Sequence, residues 1–241
     1  NISQMVTDTK TVLEKDKVIV TEASFTYENN FCSVDILKKD GNNYELYEVK
    51  SSTGVSDIYK IDASYQLYIL LKLGYNVKKV AIVHLNSDYK RNGALELDKL
   101  FTISDITDIC YDNQTIIENK IKGINKYMES KEEDKKLGLY CFNPYECPFL
   151  SYCSKNLVKP NVFDIAGMSI KQKIDLYNNN LISFNDLLDS KINAKYKEQI
   201  DFEINNLEPK IEIDGIKEFL EEVRYPLYYL DFETYQEAIP K

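Results

Sequence analysis

The stretch "SVDILKKDGNNYELYEVKSS", residues 33–52, constrains the fold more than any other part of the chain. Two short runs of alternating apolar residues flank Asp-Gly-Asn-Asn, a pattern that specifies a β-hairpin. A two-residue loop at Gly41-Asn42 pairs Asp40 with Asn43, and a four-residue loop at 40–43 keeps the same register. Counting back from either loop sets Asp35 opposite Glu48, and directly opposed residues project from one face. Side chains alternate along a strand, so Lys50 shares that face while Val34, Ile36, Tyr47 and Val49 take the other. Two carboxylates and an ammonium are therefore expected close together.

Opposed like charges destabilise a hairpin, so something must compensate. A divalent cation is the natural candidate, because Mg²⁺ uses one or two carboxylates and keeps several waters. A lysine beside a metal-bound water could position it, or stabilise charge on a phosphate in a transition state. The alternative is a solvent-facing sheet surface on which Lys50 bridges the two acids. Glu22, in "VIVTEASFTY", is a candidate third carboxylate from the neighbouring strand.

The surrounding pattern is that of an α/β protein. Residues 7–15 read as a short helix, 18–27 as a strand, and 30–39 with 44–51 as the hairpin. "DIYKIDASYQLYILLKLGYN" has helical apolar spacing closed by Gly74, and "KKVAIVHLN" (78–86) reads as a buried strand. One or two short strands are expected within 99–110 and a helix over 113–134. Strands, then a helix, then a strand predict a mixed central sheet flanked by helices. Further on, 138–160 reads as a Cys-rich loop, followed by short helices at 168–178, 182–190, 194–206 and 214–223. "YPLYYLDFET" reads as a last strand. The expected division is 1–160, a helical linker region over 161–224, and the start of a further domain over 225–241.

Net charge is −9, which disfavours nucleic acid as a partner unless a bound metal or local basic groove reverses the field. No apolar run is long enough to span a membrane. Five cysteines, an odd number without a secretion signal, fit a reduced cytoplasmic setting better than a disulfide framework. The first residues lack an initiator Met and a leader pattern, and the last stop soon after a patterned run. Both ends read as cut from a longer protein.

Asp35 followed by Glu48-Val49-Lys50 resembles the D…E-x-K signature of the PD-(D/E)XK nuclease superfamily. Gln66, in "DASYQLYILLKLGY", resembles the Gln of the helix that follows the E-x-K strand in RecB-type nucleases. Such families often carry Q-x-x-x-Y, whereas position 70 here is Leu and the nearest tyrosines are Tyr65 and Tyr68. The resemblance implies a restriction-endonuclease-like core. It also implies Mg²⁺- or Mn²⁺-dependent phosphodiester hydrolysis, with Asp35 and Glu48 holding the metal. Lys50 would orient or activate the attacking water, and Gln66 would position it or the substrate. Lys38, Lys60 and Lys72 are candidates for phosphate contacts. DNA is favoured over RNA as the substrate.

Cys141, Cys147 and Cys153 are evenly spaced in "CFNPYECPFLSYC", and a structural metal is the first explanation for such a set. The triple resembles the three clustered cysteines of iron–sulfur nucleases of the CRISPR-associated exonuclease and AddB type. Those carry a further Cys before the nuclease core, so a [4Fe–4S] cluster is implied with its fourth ligand missing from this chain. Cys32 and Cys110 read as core residues. Asp231 and Glu233 in "YYLDFETY" resemble the first acidic motif of RNase H-like DEDD exonucleases. Together these features resemble an uncharacterised bacterial family joining both nuclease types. The alternative function is a non-catalytic module, in which a metal-stabilised Cys loop supports a nucleic-acid- or partner-binding surface.

Overall fold

A computed structural model describes residues 1–132, 135–234 and 237–239, and three of its strands follow one another as an antiparallel meander. These are β1 (Lys17–Tyr27), β2 (Asn30–Asp40) and β3 (Asn43–Val49). Helix α1 (Ile2–Val12) precedes them and packs on β1. The hairpin register is the expected one, with Asp40 opposite Asn43 and Ile36 opposite Tyr47. Gly41 takes φ +58° in the two-residue loop, a left-handed conformation open to Gly without steric cost.

Helix α2 (Asp57–Lys72) then crosses over to β4 (Asn76–Leu85), which runs parallel to β3. Parallel neighbours require such a crossover. The short α3 (Leu97–Leu100) leads into β5 (Phe101–Asp105), antiparallel to β4. The result is a five-stranded mixed sheet in the order β1-β2-β3-β4-β5, packed with helices. Within 99–110 the chain makes one strand and then turns into α4 (Thr107–Asp112). Asp105 ends the strand, its carboxylate accepting from both the backbone N–H and the hydroxyl of Thr107. Helix α5 (Gln114–Met128) stops short of the expected end, and 133–134 lie outside the described residues.

Leu37, Leu46, Leu67, Ile69, Leu70, Val80 and Ile82 are fully buried and form the centre of the core between sheet and helices. Leu37 and Leu46 are cross-strand partners on the parity of Asp35 and Glu48. On β3 the covered face is thus the one that carries Glu48. The solvent-facing alternative does not describe Glu48, which is only 5% exposed, whereas Ile36 and Tyr47 are half-buried and Val49 is exposed. Helix α2 packs on this side of the sheet, and its buried Leu67, Ile69 and Leu70 share one core with Leu37 and Leu46.

The chain divides into two compact units: Asn1–Lys131 with Phe232–Lys241, and Glu132–Asp231. The second is largely helical. It contains α6 (Leu150–Cys153), α7 (Ile170–Asn178), α8 (Phe184–Leu188), α9 (Ala194–Ile204) and α10 (Ile213–Glu222). Ser169 and Ser183 cap α7 and α8, each in a reciprocal box with Gln172 or Asp186. Val162, Ile165, Leu187 and Ile200 form its core. No described helix is long and apolar enough to cross a membrane.

The expected terminal strand is not formed. Residues 227–234 have no regular secondary structure, and Asp231 and Glu233 are exposed and not on a strand. An extended segment becomes a strand only by pairing its backbone groups with a neighbour, and no described strand pairs with this one. The paired-acid geometry expected at 231 and 233 therefore has no strand to hold it; residues 235, 236, 240 and 241 lie outside the described residues.

Candidate active site

Glu48 sits near the end of β3, where β2 parts from it. The last pairing between the two strands is Ile36 with Tyr47. One residue further, the Asp35 carboxylate accepts from the Val49 backbone N–H at 2.7 Å, supplying the acceptor that the departing strand no longer offers. Meanwhile β3 continues on its other side, and the Lys50 N–H donates to the Val83 carbonyl at 2.9 Å. Pairing with β4 thus fixes the backbone at Glu48 and Lys50 after β2 has parted from β3.

Both carboxylate oxygens of Glu48 are engaged. Lys50 Nζ donates to Oε1 at 2.6 Å, and Gln66 Nε2 donates to Oε2 at 2.7 Å. Gln66 lies on α2, is 5% exposed, and its Oε1 has no hydrogen-bond partner among the described residues. A buried amide oxygen left unpaired is costly, and one beside a carboxylate cluster is suited to accept from a water or substrate hydroxyl. The hairpin residues Asp35, Glu48 and Lys50 and the helix residue Gln66 therefore converge as the sequence predicts.

Asp62 is a member of the site that sequence reasoning missed. Its Oδ2 accepts from Lys50 Nζ at 3.0 Å. The signal was present: Asp62 lies four residues before Gln66, so one face of α2 carries both. Tyr59, three residues earlier, places its ring 5.3 Å from the Lys50 ammonium. Two carboxylates, Glu48 and Asp62, thus hold one lysine, and Asp35 lies close enough to Glu48 to act on its charge, so the cluster carries excess negative charge.

The proton equilibria reflect this. Burial raises the Glu48 carboxyl above the ordinary carboxylate range, and Asp35 adds to the rise against the opposing pull of Lys50 and Gln66. Burial alone would lower Lys50, but its hydrogen bonds to Glu48 and Asp62 outweigh it and hold the ammonium charged. Lys50 is therefore a donor and a positive charge in this arrangement, rather than a base.

Glu22 is not drawn into the cluster. It lies on β1 across from Asp35, between the pairs Thr21–Ile36 and Ala23–Val34, with φ 54°. Its carboxylate accepts from the Ser33 hydroxyl at 3.1 Å. Opposite this kink the alternation of β2 also changes, since Cys32 and Val34 join the same core as Leu37 despite opposite parity. Burial, with Asp62 and Glu48 nearby, pushes the Cys32 thiol up to about 12. The three lysines expected to meet phosphate are each paired with an acid: Lys38 with Glu45, Lys60 with Asp57 and Lys72 with Glu118.

Whether metals fit differs between the two expected sites. Among the described residues no three His, Cys, Asp or Glu side chains gather closely enough to hold a metal ion. Asp35 and Glu48 still suit a hard divalent cation, which needs only one or two carboxylates and otherwise keeps its water. The excess negative charge and the unpaired Gln66 oxygen agree with such an occupant. The cysteine triple is not gathered into a ligand set among the described residues. Cys141 is buried against Leu137 and Ile174, Cys147 is half-buried and Cys153 is exposed. All five cysteines are free thiols.

No protein-family model matches the chain, and no curated protein sequence matches it.

Proposed function

We propose that the sheet-bearing unit is a metal-dependent nuclease of the restriction-endonuclease-like type, hydrolysing phosphodiester bonds in the cytoplasm with DNA as substrate. The observation that carries this reading is Glu48: a carboxylate 5% exposed, beside Asp35, bonded to both Lys50 and Gln66. A merely solvated hairpin face would not bury an acid against another acid.

Asp35 and Glu48 would hold Mg²⁺ or Mn²⁺, which supplies a polarised water and charge neutralisation at the phosphate when bound. The remaining work belongs to the protein. Lys50, kept charged by its carboxylate partners, donates to the attacking water or to a phosphate oxygen and stabilises charge that develops there. Gln66 Oε1 accepts a hydrogen bond from the water and fixes its orientation. Glu48 gains nothing from acting as an acid here, because protonating it would remove a ligand.

The test is cleavage of DNA in Mn²⁺ by the protein and by Asp35→Ala and Lys50→Ala. Each substitution is expected to reduce the rate on the order of a hundredfold, the scale seen when one charge-stabilising donor is removed. Equal residual cleavage by all three proteins would sink the assignment and leave the non-catalytic binding module as the better reading.

A further inference from the structure

Lys50 Nζ occupies Glu48 Oε1 at 2.6 Å, the same carboxylate that the nuclease reading gives to a divalent cation. The ammonium and the cation cannot share that oxygen, since like charges at such a distance repel strongly. If the lysine left the site on cation binding, its charge would be lost from the chemistry. A second carboxylate already holds it: Asp62 Oδ2 lies 3.0 Å from the same nitrogen, on the more solvent-accessible side of the ammonium. Asp62 is 43% exposed in its side chain, against 7% for Glu48. The four-carbon stem of Lys50 is flexible enough to swing between them, and in the present position the ammonium lies 5.3 Å from the Tyr59 ring.

We infer that Asp62 is a positioning residue that retains Lys50 in the site when a divalent cation takes Glu48. The inference rests on the metal-dependent reading of Asp35 and Glu48. It adds a role for a carboxylate that binds neither metal nor substrate and acts through the lysine alone. Two consequences follow from the geometry. Without Lys50, the cation has no competitor for Glu48. Without Asp62, the ammonium has Glu48 as its one remaining carboxylate anchor and competes harder. Asp62 therefore favours cation binding indirectly, and its effect disappears when the lysine is absent.

The experiment measures Mn²⁺ binding to the protein without substrate, by electron paramagnetic resonance of free Mn²⁺, across a double-substitution cycle. Asp62→Asn is expected to weaken Mn²⁺ binding about tenfold when Lys50 is present, and by less than about twofold in the Lys50→Met background. Lys50→Met alone is expected to tighten binding. Asp62→Glu keeps a carboxylate at the same position and is expected to restore binding, which separates positioning from damage to the helix. Equal weakening by Asp62→Asn in both backgrounds would overturn the inference, because Asp62 would then act directly on the cation. Absence of weakening in either background would overturn it as well. A separate control, Glu48→Gln, addresses the underlying reading. Mn²⁺ binding unaffected by Glu48→Gln would remove the metal site itself, whatever the cycle showed.

Discussion

Lys50→Ala is expected to lower the melting temperature of the sheet-bearing unit by roughly 5–10 °C, and Mn²⁺ is expected to restore most of that loss. In the intact protein the Glu48 carboxylate is buried beside Asp35, with Lys50 as its counter-charge. Removing one partner of a buried pair leaves the other uncompensated, at a cost of about 3–5 kcal/mol when both are fully buried. Lys50 is 23% exposed in its side chain, so about 2–3 kcal/mol is the better expectation. A cation binding the folded protein alone would add back about 2.7 kcal/mol at a hundredfold excess over its dissociation constant. The recovery should vanish in Lys50→Ala/Glu48→Gln, where the ligand is gone. A fall without recovery in Mn²⁺ would show that Glu48 wants an ammonium and not a metal.

Leu46→Ala should be at least as damaging, for a reason that has nothing to do with charge. Leu46 is fully buried, paired with the fully buried Leu37, and sits two residues before Glu48 on the same face. Deleting its three outer carbons removes buried apolar surface and leaves a cavity under α2, costing about 2–5 kcal/mol. Denaturant unfolding followed by far-ultraviolet circular dichroism measures this. Unlike Lys50→Ala, the loss should be indifferent to Mn²⁺ at low concentration, because no carboxylate is uncovered. A cost under about 1 kcal/mol would mean that the acid-bearing face is not the covered one.

The register of the hairpin was legible because the loop residues admit a single pairing of Asp40 with Asn43, and every opposition further along follows from it. Which face is covered was not legible. Leu37 and Leu46 share parity with the acids, while Ile36, Tyr47 and Val49 share the other, so both faces of the hairpin are apolar enough to be core. Only the position of α2 breaks the tie, and that depends on contacts distant in sequence. Gln66 could be found from its place in the helix. Asp62 was equally visible at i−4, but it carried no signal of its own until Lys50 was seen between it and Glu48. Glu22 illustrates the opposite failure: its residue type fits a metal site, but a kink at φ 54° turns its carboxylate toward Ser33 instead. The apolar run ending in Asp231 and Glu233 has strand propensity, yet propensity without a partner ladder does not make a strand.

Crystals soaked in Mn²⁺, with anomalous diffraction used to locate the ion, test the central claim most directly. The predicted result is a peak bound by carboxylate oxygens of both Asp35 and Glu48, with Lys50 Nζ withdrawn from Glu48 and resting on Asp62. A Lys50 ammonium still seated on Glu48 Oε1 at saturating Mn²⁺, with no peak between the two acids, would contradict it.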